Sequence, residues 1–306
     1  MTQIFTYLRE YATAIDKWLF IFSLLFMSIF VILNYRLGLE TKIVNNLSSP
    51  LGRFLGFYSV YAIAFILPYL FIIFFRPQLV EKDSFFWLLL LIAPAIFALK
   101  VTIPNPFNGL PSTITNRFIK IITNLPFRLL VLLLPLFLFY WLIPNQKHFW
   151  GLNTTGFTWS PYFYMLLFMV PLIAFASTQA DFLATYPKLK QIAFMQTANK
   201  YSWWHKLLYE ISYGIDFISI ELFFRGFLVF AFVRYAGPAA IIPMACFYCS
   251  IHFGKPLLEC ISSFFGGMLL GVVAINTQSI AGGLLVHLGI AWLMEAGGYI
   301  GNLLKK

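Results

Sequence analysis

The chain has 306 residues, of which 60% are hydrophobic, 20% aromatic and 10% charged. Soluble domains carry about a quarter charged residues, so this composition excludes a water-soluble globular protein and fits a chain whose solvent is lipid. The net charge of +10 comes from 21 Lys and Arg scattered between apolar runs, which excludes a nucleic-acid footprint and suits loops resting on anionic lipid.

A spanning helix needs about 20 mostly apolar residues. In chain order, nine stretches are candidates: roughly 17 to 35, 55 to 75, 84 to 103, 127 to 143, 160 to 177, 213 to 233, 238 to 251, 256 to 277 and 279 to 300. The first follows Arg9, Glu10, Asp16 and Lys17 without a small-x-small cleavage pattern after it, and reads as a retained span. The seventh has 14 residues, a length at which a re-entrant or protein-buried segment competes with a span. The expected fold is therefore all-α, a polytopic transmembrane bundle of eight or nine spans.

Three regions follow. Residues 1–178 are expected to be N-terminal transmembrane helices of unknown role, 179–212 an interfacial segment, and 213–306 a membrane core. The interfacial segment holds Lys188, Lys190, Lys200, Trp203, Trp204, His205, Lys206 and Glu210; indole rings suit headgroup depth and lysines reach water from there. A cytoplasmic loop is the alternative. With nine crossings, basic residues fall mainly on the side of Arg36, Arg53, Arg128, Lys305 and Lys306, against fewer, such as Arg76 and Lys147, on the other. The positive-inside rule then puts the C-terminus in the cytoplasm; the expected location is the cell (inner) membrane.

The first five stretches are almost free of internal charge, whereas the last four and their flanks hold Asp216, Glu221, Arg225, His252, Glu259, His287 and Glu295. An ionisable group in hydrocarbon costs at least about 2.5–3.5 kcal/mol on insertion scales, so the cluster marks a functional site. Glu221 and Arg225 are four apart, one helical turn on one face, where they can pair. The pair either locks the bundle or leaves a carboxylate able to take a proton from water. His252 precedes a Gly-Lys-Pro break and so sits at a helix C-terminus, while His287 lies mid-span with glycines on both sides. Each histidine serves either as an acid or base or as an interhelical hydrogen-bond donor. Glu259 and Glu295 are supporting candidates. Cys246, Cys249 and Cys260 read as apolar packing residues, since a C-x-x-C pattern here lacks the βαβ context of a redox motif.

Glu221-Leu-Phe-Phe-Arg225, Tyr248-Cys-Ser-Ile-His252 and His287-Leu-Gly-Ile-Ala291 resemble, in this order, the motifs of the type II CAAX prenyl endopeptidases and abortive-infection proteins, a family of intramembrane glutamate proteases. The resemblance covers about residues 205 to 301. It implies an intramembrane endopeptidase acting on a membrane-associated protein, lipidated substrates included. Glu221 and His252 would activate water, His287 would donate to the oxyanion, and Arg225, Glu259 and Glu295 would support them. No cofactor or metal is implied; the partners are membrane lipid and a hydrophobic or lipidated peptide. The chain departs from the family pattern at Ile220, where a first glutamate is usual, at Ala291, where a polar residue is usual, and at Tyr248, where Phe is usual.

Two other classes stay open. Ile220 and Ala291 also suit a non-catalytic member that binds a hydrophobic peptide as a scaffold or immunity protein. A proton-coupled transporter would use the same cluster as a relay. A metalloprotein built on His252, His287 and Glu221 is a further reading, without H-x-x-x-H spacing to support it.

Overall fold

The structure is a computed structural model that describes residues 2–143, 148–155, 157–197 and 201–305; Lys147, Lys200 and Lys306 lie outside the described residues. Within these, every regular element is helical. The chain runs through α1 (Thr2–Ala14), α2 (Lys17–Leu37), α3 (Pro50–Phe75), α4 (Ser84–Thr102), α5 (Ile114–Leu142), α6 (Ser160–Ala176), α7 (Ala180–Thr185) and α8 (Phe194–Thr197). It continues with α9 (Trp203–Glu221), a π-helical segment (Leu222–Leu228), α10 (Val229–Ala236), α11 (Ile241–Ser250), α12 (Leu257–Thr277) and α13 (Ala281–Leu304).

Helix starts follow local chemistry. Asp16, Ser49, Asp83 and Thr113 each accept a backbone N–H of the first turn they cap, satisfying donors that have no partner inside the helix. Ser202 does the same for α9, its Oγ accepting from Trp204 N–H at 3.3 Å while His205 Nδ1 accepts from Ser202 N–H at 3.2 Å. Trp203 and Trp204 stand exposed at this start. The rest of that segment folds into the short α7 and α8 and a 3-10 turn at Lys188–Ile192.

Among the described residues, six helices are long and apolar enough to cross a membrane: α2, α3, Ser84–Gly109, α5, α12 and α13. Counting Ser160–Ala176 with Ala180–Gln196, bent by 97°, as one broken span raises the total to seven. The expectation of eight or nine was too high, for two reasons. The stretch expected over 213 to 233 belongs to the run from α9 to α10, where Asp216, Glu221 and Arg225 interrupt the apolar sequence. The stretch over 238 to 251 folds as a 3-10 turn, Gly237–Ala240, and the ten-residue α11, about 15 Å long at 1.5 Å per residue.

All ten residues of α11 are buried, and it packs against α2, α3 and α12. An aromatic mesh fills the space around it: Phe247 makes ring contacts with Tyr61 and Phe65 of α3, Phe97 of α4, and Phe223 and Phe224 of the π segment. One core thus unites the first four spans with the charged C-terminal helices.

The π segment begins immediately after Glu221 and contains Arg225 and Gly226. Such widened turns recur at functional sites because they re-aim side chains within a continuous helix. Its position depends on a close approach. A Cβ at Gly226 would lie 2.7 Å from the Trp150 carbonyl oxygen, and Trp150 is held by its indole N–H donating to Leu136 O at 2.9 Å. Gly226→Ala is therefore expected to lower stability by about 1–3 kcal/mol, the usual cost of overpacking, as read from denaturant unfolding in detergent.

Candidate active site

The site forms where α9, the π segment, α11 and α13 meet. Glu221, at the end of α9, is completely buried. Its Oε1 takes two partners: Arg225 Nη1 at 3.0 Å and His287 Nδ1 at 2.9 Å. The arginine contact is ionic rather than a directed hydrogen bond, since neither Nη1 nor Nε makes a hydrogen bond with good geometry. The guanidinium carbon instead sits over the Tyr248 ring, 4.0 Å from its centroid, an arrangement that uses the ring's negative face. Glu221 Oε2 is buried without a hydrogen-bond partner among the described residues. It faces Gly283 so closely that a Cβ there would lie 2.5 Å away. The glycine beside His287 therefore admits the carboxylate.

Tautomers follow from these contacts. A carboxylate can only accept, so His287 Nδ1 carries its proton, and the neutral ring then presents Nε2 as an acceptor. The Tyr248 hydroxyl donates to that Nε2 at 3.0 Å. The backbone oxygen of the same Tyr248 accepts from His252 Nδ1 at 2.9 Å, which leaves His252 Nε2 with a free lone pair. The His252 ring packs edge-on against Tyr248, with 4.7 Å between centroids. Tyr248 therefore joins the two histidines, its hydroxyl on one and its carbonyl on the other.

Of the residues singled out from sequence, the fold gathers Glu221, Arg225, His252 and His287 around Tyr248. The remaining two stand apart from the Glu221 carboxylate. Glu259 accepts from the Tyr186 hydroxyl at 3.0 and 3.1 Å and faces Lys255 at 3.5 Å. Glu295 accepts the N–H groups of Lys188 and Leu189 at 2.6 and 3.1 Å, holding the 3-10 turn over α13. Asp216 forms a separate ion pair, 2.8 Å from Lys100 Nζ. Ile220 and Ala291 occupy their positions as apolar packing residues. Sequence reading gave Tyr248 no chemical role, and the available signal was its hydroxyl one turn before His252 in an otherwise apolar helix.

Among the described residues, no three His, Cys, Asp or Glu side chains converge as metal ligands would. The Nδ1 atoms of both histidines are already committed, to a carboxylate and to a backbone carbonyl. Cys246, Cys249 and Cys260 are buried free thiols, as packing residues would be.

Residues 203–293 match the family described as type II CAAX prenyl endopeptidase Rce1-like. No curated protein and no solved structure matches the chain. The matched segment runs from the start of α9 into α13 and contains Glu221, Arg225, Tyr248, His252 and His287. This multi-pass membrane protein is thus similar, over residues 203–293, to the Rce1-like type II CAAX prenyl endopeptidases.

Proposed function

We propose that the chain is an intramembrane endopeptidase that hydrolyses a peptide bond of a membrane-associated protein, lipidated substrates included. One observation carries the reading: the buried Glu221 carboxylate of α9, the His287 imidazole of α13 and the His252 imidazole of the turn after α11 meet around Tyr248. In this mechanism, His252 Nε2 takes a proton from water as the water oxygen bonds to the scissile carbonyl carbon. The carbonyl electron pair moves to oxygen. The Tyr248 hydroxyl, which rests as a donor to His287 Nε2, turns its O–H to that oxyanion, while Glu221 holds the proton on His287 Nδ1 and so keeps the ring in place beside it. The proton on His252 then passes to the amide nitrogen as the C–N bond breaks. Glu221 acts here through His287, a role that does not need the glutamate absent at Ile220.

The test is a cleavage assay in liposomes reconstituted with the native membrane-protein pool, comparing wild type with His252→Ala by sequencing new peptide termini. Termini present with wild type and lost in the variant support the endopeptidase. Identical profiles from two folded proteins overturn it and favour the binding or scaffold reading, which Ile220 and Ala291 also suit. Tyr248→Phe is expected to keep the fold and lower kcat by about 10²-fold with KM little changed, the effect of losing one oxyanion donor. Rates on a substrate identified in the assay check this.

The same reading places the C-terminus in the cytoplasm. Tyr35 at the end of α2 donates to Lys255 O, Lys255 faces Glu259, Glu259 accepts from Tyr186, and Asn302 of α13 donates to Tyr186 O. These contacts put Arg36, Lys255 and Lys305 near one end of the bundle, the basic end that the positive-inside rule assigns to the cytoplasm.

A further inference from the structure

His252 lies in the turn between α11 and α12, and among the described residues the backbone of 253–255 meets α2 and the bend after it. Asn34, 2% exposed, donates its side-chain amide to Phe253 O at 2.9 Å. Its Oδ1 accepts from the N–H of Glu40 at 3.2 Å. The Tyr35 hydroxyl donates to Lys255 O at 2.6 Å. The Glu40 carboxylate lies against the Gly254 backbone, so closely that a Cβ at Gly254 would be 2.7 Å from Oε1. Phe30, one turn before Asn34, meets the Phe253 ring edge-on at 4.9 Å.

The order of these contacts is informative. Three consecutive residues after His252 are each held, by Asn34, Glu40 and Tyr35 in turn. Buried Asn is costly unless both ends of its amide are bonded, and here one end holds the turn while the other holds Glu40. The Glu40 bend is itself a π-helical turn, Leu39–Ile43, which swings the carboxylate back towards Gly254. An unrestrained turn after a helix C-terminus would let the imidazole wander, and a displacement of about 1 Å from the productive position costs about 10² in rate.

We infer that Asn34 and Glu40 are positioning residues for His252, so that the first span is a working part of the active site rather than a shield around it. The inference rests on the endopeptidase reading for its effect on rate, and on geometry alone for its effect on the imidazole. The charged and titratable groups facing Glu40 are Lys255 from the α11–α12 turn and Tyr61 from α3. Burial pushes the Glu40 carboxyl up to about 7, opposed by Lys255. The ionised carboxylate attracts the Lys255 ammonium of the same turn, so the turn is held more firmly above pH 7 than below it.

The experiment uses the full chain in liposomes, with Asn34→Leu, Glu40→Gln and Gly254→Ala, each checked for wild-type melting. Two quantities are read: kcat and KM on a substrate identified in the cleavage assay, and the rate at which diethyl pyrocarbonate modifies His252, followed by peptide mass spectrometry. Asn34→Leu and Gly254→Ala should lower kcat by about 10²-fold with KM within about twofold, and should change His252 labelling severalfold. Glu40→Gln should lower kcat less and remove the component of the pH profile centred near 7. Wild-type kcat, pH profile and labelling in all three variants would overturn the inference. If wild type itself yields no cleavage, the endopeptidase reading falls, and the labelling rates alone decide whether the clamp exists.

Discussion

Glu221→Gln is expected to lower cleavage by about 10²–10⁴-fold, the range for losing a group that supports proton transfer, while leaving a folded protein. Glutamine keeps the shape of the side chain between Arg225 and Gly283 but removes the carboxylate that faces Arg225 and fixes the proton on His287 Nδ1. If the new amide nitrogen faces the imidazole, His287 must present Nδ1 as an acceptor and carry its proton on Nε2, so the ring can no longer accept from Tyr248. Both effects act on kcat. The check is single-turnover cleavage of an identified substrate, with His287→Gln beside it. Because the two residues act as one unit, Glu221→Gln/His287→Gln should cost little more than either change alone.

Arg225→Met is expected to be the most destabilising single change at the site, by about 3–5 kcal/mol. Glu221 and Arg225 are 0% and 1% exposed in their side chains and 3.0 Å apart. Removing one partner leaves an uncompensated charge in low dielectric, which is far costlier than never having buried the pair. The double variant Glu221→Leu/Arg225→Met separates stability from chemistry, because well-packed apolar replacements of buried pairs are often neutral or better. It should regain most of the lost stability in denaturant titrations in detergent and remain inactive. Recovery of both stability and cleavage would show that the pair is structural only.

The Glu221–Arg225 contact was legible in the sequence because four residues on a helix fix both partners to one face. The pairing of Glu221 with His287 was not, since it joins residues 66 apart and depends on how α9 and α13 are rotated against each other. Glu259 and Glu295 illustrate the converse. Each is an acidic residue in an apolar helix, yet their helical phases turn them towards Tyr186 and Lys188 rather than towards Glu221. The span count failed where local hydropathy was ambiguous: the ten residues of α11 are apolar because protein surrounds them, not because lipid does.

Composition and hydropathy along the chain determined that this is an all-helical membrane protein, and residue spacing determined which short motifs carry ionisable groups. Both are local properties, set by transfer of side chains from water and by helix geometry. Only the tertiary structure decided that Tyr248 links the two histidines and that Asn34, 219 residues from Phe253, holds the turn beside His252. Such contacts depend on the relative rotation and depth of packed helices. Those are set by the interlocking of the whole core, from Phe65 and Phe97 to Phe247, rather than by any one segment.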